Sequence, residues 1–244
     1  LLWCDMTTVT PEALAALPVF AGADPAALAR AAPGAVWREF EAGAVVLDYD
    51  CPSTEVRVVV RGGPLRVLMR TSGGREKIVA EIGAGGFVGE QAAIAGPAEA
   101  PSAGIVALHK ARLCILPGES FMEVVLASPP VARRLMAMLT ERVRSGNRRL
   151  LEYAALPVRQ RLLSELLRLA RPRVGGEGLA ISPPPVRGEL AARIGARREA
   201  VSREMSALAR AGLLEVGPRA VVLRDPAALR REVAAGMEAA GRWG

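Results

Sequence analysis

Lysine is nearly missing from this 244-residue chain: of its 32 basic residues only Lys77 and Lys110 are not arginine. Histidine occurs once, at His109, and aromatic residues make up 4%. A lone imidazole cannot build the clustered histidines of a cupin-like metal site, and it permits at most a single Ser/His/Asp arrangement, so an enzyme is not expected. The cysteines, Cys4, Cys51 and Cys114, are odd in number and far apart, with no CxxC spacing. That removes support for a zinc site or an iron–sulfur cluster and points to reduced thiols in a reducing compartment. No apolar run approaches the ~18 residues that a membrane helix needs. The opening stretch, LLWCDMTTVT, lacks the basic-then-apolar form of a secretory signal. A soluble, cytoplasmic protein with no metal and no membrane partner is the expectation.

Hydrophobic residues are 51% of the chain, enough for packed cores, and the length suits one to two domains, with two favoured. The formal net charge of +7 suits a polyanionic partner. A GC-rich genome, which favours arginine codons, explains the same excess, so charge alone decides nothing.

The texture changes twice along the chain. Residues 11–34 read as helical, with Pro11 and Pro25 in first turns and Asp24 as an N-cap. From Val36 to Leu116, short runs rich in Val and Ile (AVVLDY, EVRVVVRG, PLRVLMR, KIVAEI, GIVALHKARLCILP) alternate with glycine-containing turns, as in a β-sandwich or small barrel. After Pro117 the chain is helical again. The stretch VARRLMAMLTERVRSGNRRLLEYAAL runs unbroken for about seven turns. Ala132, Leu135, Leu139, Val143, Gly146, Leu150 and Tyr153 fall at spacings of three and four, a narrow apolar seam that favours self-association, as in a coiled coil, over the alternative of a helix packed on its own sheet, which needs a broader stripe. Pro157 breaks this helix. PVRQRLLSELLRLARPR reads as a further amphipathic helix, and VGGEGLAISPPP as a flexible connection.

The stretch VRGELAARIGARREAVSREMSALARAGLLEVGPRAVVLRD has a recognisable grammar. Leu190, Ala191 and Ile194 form the inner face of a short helix, and Gly195 stands where a helix end needs a left-handed residue. A second helix, beginning at Ala196, has inner positions Ala200, Val201, Met205, Leu208 and Ala209. Gly212 ends it, and LLEVG and AVVL read as a hairpin. Two helices about a tight turn, followed by a hairpin, make a winged helix-turn-helix. With Val201 and Met205 inward, Arg197, Arg198, Ser202 and Arg203 project outward beside Glu199. Arginine donates two-pronged to guanine, and glutamate accepts from the cytosine amino group. A plain solvated helix face explains the charge but not the surrounding turn, small helix and hairpin.

This stretch resembles the C-terminal domain of the CRP/FNR superfamily, whose R-E-x-V-x-R core is matched by Arg198, Glu199, Val201 and Arg203. The resemblance implies an α+β chain: a jelly-roll-like β-roll of the cyclic-nucleotide-binding type with flanking helices over residues 1–128, a dimerisation helix over 129–156 and the winged module over 157–244. It implies a homodimer that reads a palindromic double-stranded DNA operator, in half-sites about 34 Å apart, with RNA polymerase as a protein partner. Arg198, Glu199 and Arg203 take the reading role, and Ser202 takes a base or phosphate.

Within the roll, GAGGFVGEQAAIAGPAEAPSAGIVAL resembles the family's phosphate-binding cassette. Gly89 and Glu90 match its Gly-Glu pair, with Glu90 taking a ribose hydroxyl, and Ser102 and Ala103 match its Ser-Ala. Pro101 stands where the family carries the phosphate-neutralising arginine. Cyclic AMP or cyclic GMP is therefore an effector that the family implies and this departure opposes. Asn147 sits about where the family places a polar contact to the base, and a solvent-facing helix position is its other reading. Two function classes follow: an effector-controlled transcription regulator, or a cyclic-nucleotide sensor acting through protein contacts.

Overall fold

The computed structural model describes residues 7–49, 53–74, 76–96, 103–173 and 178–241. They fall into two compact units, Leu1–Arg142 and Val143–Gly244.

The first unit starts with β1 (Thr7–Thr8), α1 (Pro11–Ala15) and α2 (Pro25–Ala31). Both helices begin on proline. Thr10 and Asp24 cap them, accepting from the amides of Ala13 at 3.2 Å and Ala27 at 2.9 Å. Single turns of 3-10 helix at Pro18–Phe20 and Ala32–Gly34 break the predicted helical run of residues 11–34. Strands follow: β2 (Val36–Phe40), β3 (Val45–Leu47), β4 (Val56–Gly62), β5 (Leu65–Arg70), β6 (Glu76–Ile82) and β7 (Phe87–Val88). A short α3 (Glu90–Ala95) precedes β8 (Gly104–Ala107) and β9 (Ala111–Leu116), and exposed His109 lies in the turn between those two strands. They form a five-stranded sheet in the order β1-β2-β9-β4-β7 and a four-stranded sheet in the order β3-β8-β5-β6. Every pairing is antiparallel.

The period of two along each strand sends side chains into two cores. Phe40, Val59, Leu65, Val88, Leu113 and Ile115 fill the space between the sheets. Val56, Val58, Phe87 and Cys114 turn the other way, against Phe20 of the 3-10 turn, Phe121 and Val124 of α4 (Gly118–Ala127) and Val131 and Leu135 of α5 (Pro129–Ala155). Leu135 therefore belongs to this core and not to the predicted seam, Ala132 and Leu139 pack against the same core, and Met136, 60% exposed, is the outward residue in that turn.

The second unit holds the rest of α5 and then α6 (Val158–Leu169), whose Leu162, Leu163 and Leu166 are fully buried. β10 (Arg171–Pro172), β11 (Leu179–Ile181), α7 (Arg187–Ile194), α8 (Arg198–Arg210), β12 (Leu214–Val216), β13 (Val221–Leu223) and α9 (Pro226–Gly241) complete it. The helix-turn-helix packs on α6 through Leu190, Ile194, Val201, Met205 and Leu208. The connection predicted to be flexible contains β11. Leu179, Ala180 and Ile181 pair with Leu223, Val222 and Val221, so the wing is a four-stranded sheet, β10-β11-β13-β12. The reason is the open edge of β13, whose backbone groups need a partner, and the apolar Ile181, which that pairing buries. The C-terminal helix α9, absent from the sequence reading, buries Leu229 in the same core.

Burial pushes the Cys114 thiol up to about 12. Its thiolate is disfavoured by the apolar surroundings, so the residue is inert in the folded state. Iodoacetamide at pH 8 is expected to leave Cys114 unmodified in native protein and to label it fully in urea, read by peptide mass mapping. The ordinary thiol value is 9.0, so the unfolded chain ionises first and this group lowers stability as pH rises from about 9 to about 12.

Candidate nucleic-acid interface and effector site

α8 is amphipathic at helical spacing. Val201, Met205 and Leu208 are fully buried, while Ala200 and Ala209 are only half-buried. What remains faces solvent. Arg198, Glu199 and Arg203 are exposed and Ser202 is half-buried. Arg198 with Ser202, and Glu199 with Arg203, are four residues apart, so the four form two adjacent rows on one face. Among the described residues, none of the three charged side chains has an ion pair or hydrogen bond, although Glu199 and Arg203 have the spacing to pair. By contrast Glu204, one residue on, pairs with Arg159 at 3.5 Å and so serves the fold. The helix starts two residues later than predicted: Ala196 and Arg197 lie ahead of it, and Arg197, also exposed, takes the N-cap position without a side-chain cap. Pro-free and glycine-free from Arg198 to Arg210, the helix offers a rigid edge with two guanidinium forks and a carboxylate, the groups that recognise base edges in a major groove.

The turn before α8 is set by Gly195, left-handed at φ 63° as the sequence predicted. The wing adds a cation that the sequence reading passed over. Arg219 is exposed in the turn between β12 and β13, and its carbonyl accepts from the Ser182 hydroxyl at 3.0 Å. The signal was a basic residue in a Gly-Pro turn.

In the roll, Gly89 has φ 91°, and a Cβ there would lie 2.2 Å from the Glu55 carbonyl oxygen, so no other residue fits without moving β4. Glu90, 2% exposed, forms an ion pair with Arg142 of α5. Arg142 also donates to the Phe87 carbonyl and lies 4.9 Å from the Phe87 ring centre. The carboxylate expected to meet a ribose hydroxyl is thus already held by a cation of the same chain. Ala103 is half-buried just ahead of β8, and Ser102 lies outside the described residues. Asn147 is exposed on α5.

A charged residue inside the roll was also missed. Arg57, 6% exposed, sits on β4 opposite Val88 and Ile115, both members of the core between the sheets. It donates to Glu55 Oε2 at 2.7 Å, the Glu55 carbonyl at 3.0 Å and Ser53 Oγ at 3.2 Å. Its signal in the sequence was one arginine interrupting an apolar strand, VRVVV. Among the described residues no His/Cys/Asp/Glu group has the arrangement to hold a metal, and no helix is long and apolar enough to cross a membrane.

Residues 37–128 match the cyclic nucleotide-binding domain, and residues 160–232 match the Crp-like helix-turn-helix domain. The chain is 33% identical over 179 residues to the cyclic AMP receptor protein of Thermus thermophilus, covering 73% of this chain and 79% of that one. It is 24% identical over 223 residues to the CRP-like cAMP-activated global transcriptional regulator of Mycobacterium tuberculosis, covering 90% and 98%. Among solved structures, FixK2 from Bradyrhizobium japonicum superposes with a TM-score of 0.67 at 25% identity, covering 81% of this chain and 96% of that one. With an effector-binding β-roll domain ahead of a DNA-binding helix-turn-helix, the chain belongs to the CRP/FNR family of transcription regulators.

Proposed function

We propose that this regulator acts in the cytoplasm as a homodimer on a palindromic operator. Arg198, Glu199 and Arg203 of each protomer read base edges, Ser202 and Arg197 contact base or backbone, and RNA polymerase is the protein partner. The observation that supports the reading role is the set of exposed charges on the first turns of α8, Arg198, Glu199 and Arg203, without ion pair or hydrogen bond among the described residues and set just after the left-handed Gly195. Self-association is supported by the outward face of α5. Met136, Val143 and Leu150 recur every seven residues at 60%, 61% and 67% exposure. Gly146 lies in the same stripe, with nothing within 4 Å of a Cβ placed there. Such a stripe is costly to leave in water and has the spacing of a coiled-coil seam.

An effector in the roll, near Gly89 and Glu90, shifts the population between two dimer geometries by binding one more tightly. A cyclic nucleotide is the class that the matched domain and the relatives' names suggest. Such a ligand would lack the arginine that Pro101 replaces. A charge-assisted hydrogen bond to a buried group is worth about 2–3 kcal/mol, roughly a hundredfold in affinity.

Three outcomes are expected. In gel-shift titrations, Arg198→Ala or Arg203→Ala reduces discrimination between selected operator and random DNA by about 1–3 kcal/mol per contact, and leaves fold and dimer intact. Equal discrimination by the variants would reject the assignment. Leu150→Asp is expected to convert a sedimenting dimer to a monomer at micromolar concentration. By calorimetry, wild-type protein binds cyclic AMP and cyclic GMP weakly, and Pro101→Arg tightens one of them at least tenfold. An unchanged isotherm would remove cyclic nucleotides as the effector class.

A further inference from the structure

Reading DNA requires that α8 be held at a fixed angle, and the second unit contains a polar cluster placed to do this. At its centre is Glu165 of α6, 1% exposed. A carboxylate so deeply buried needs cations, and three arginines supply them, Arg149 of α5 at 3.9 Å among them. Arg168, one turn along α6, pairs with one oxygen, and Arg193 of α7, itself 6% exposed, lies 3.4 Å from the other. Arg168 also reaches Glu152 near the end of α5, donating to its two oxygens at 2.8 and 2.9 Å. One buried carboxylate thereby links the last turns of α5 to the last turn of α7.

The same helix end is gripped a second time. The final carbonyls of an α-helix have no partner within the helix. In α7 the carbonyl of Arg193 accepts from the Tyr153 hydroxyl of α5, and that of Ile194 accepts from Arg161 of α6 at 2.8 Å. A guanidinium is also electrostatically favoured at a helix C-terminus. Arg161 lies 5.7 Å from the Tyr153 ring centre, and both approach Gly195. A Cβ on that glycine would lie 3.5 Å from Tyr153 Cε1. Tyr153, predicted for the self-association seam, is thus turned to the helix-turn-helix turn.

We propose that Tyr153 and Glu165 are positioning residues forming a joint that fastens the α7–α8 turn to the end of the long helix, so that the reading helix turns with α5. Neither residue contacts DNA. The proposal rests on the reading role of α8 and adds how that helix is aimed. It also gives the Tyr153 hydroxyl a role separate from dimerisation. Two contacts on successive carbonyls define an orientation, which one contact does not.

The test uses full-length protein and DNA selected from a random pool by the wild type. Tyr153→Phe removes one hydroxyl and keeps the ring. It is expected to raise amide exchange in residues 193–197 about tenfold and to weaken operator binding about tenfold. The slope of affinity against salt and the sedimentation of the protein should not move, because phosphate contacts and the seam are retained. Glu165→Gln should show the same pattern more strongly, and Arg198→Ala should weaken operator binding without altering exchange. If Tyr153→Phe folds with exchange at 193–197 and operator affinity both within twofold of wild type, the joint is rejected. The exchange measurement needs no DNA, so failure of the joint is distinguishable from failure of the reading role, which would appear as a wild type that selects no sequence.

Discussion

Burial of Val201, Met205 and Leu208 on one face of α8 is the constraint from which the functional surface follows. A helix advances 100° per residue, so committing those three positions to the core of α6 and the wing leaves Glu199 and Arg203 on the opposite side, with Ser202 on the flank and Arg198 exposed at the start of the helix. No separate device is needed to expose them. The cost of leaving three charges unpaired is small because water solvates them, and water is easily displaced when a more specific partner arrives. The same residues with Met205 turned outward would present an apolar ridge to DNA and bury a guanidinium without a counter-ion.

Two groups of arginines stand out. Arg57, Arg142, Arg168 and Arg193 lie against carboxylates and hold polar groups in place inside the units. Arg197, Arg198, Arg203 and Arg219 are exposed around the reading helix and the wing. Both uses favour arginine over lysine, since a planar fork satisfies a carboxylate, or a guanine, with two donors at once.

Among the described residues the deeply buried glutamates are Glu90 and Glu165, and each is tied to a residue of α5. Glu90 is held by Arg142 at the roll, and Glu165 is tied through Arg168 to Glu152. Removing one partner from such a pair leaves a desolvated charge, so each pair is stiff against small displacements. α5 is thus held by polar pairs at its midpoint, through Arg142, and near its C-terminal end, through Glu152. The pairing at Glu90 also bears on the effector: a ligand that used this carboxylate would have to compete with Arg142 or recruit it.

The sequence alone determined the order of textures, the reading helix and its outward charges, the left-handed Gly195, and the family pattern R-E-x-V-x-R. All of these are local, governed by the 3.6- and 2-residue periods and by turn chemistry. Helix bounds slipped at Ala196, where two good helix formers, Ala196 and Arg197, are kept out of the helix by the extended backbone of the N-cap, and the seam was mistaken at Leu135, because periodicity marks an apolar residue without saying which neighbour covers it. Only tertiary structure decided that 179–181 joins the wing sheet, that Arg57 lies inside the roll, and that Glu90 and Glu165 are buried against arginines. Those outcomes depend on contacts between residues distant in the chain: 52 positions separate Glu90 from Arg142, and 40 separate Tyr153 from the carbonyl it holds. A charge looks the same in a sequence whether water or a second charge will surround it, and the fold is what chooses.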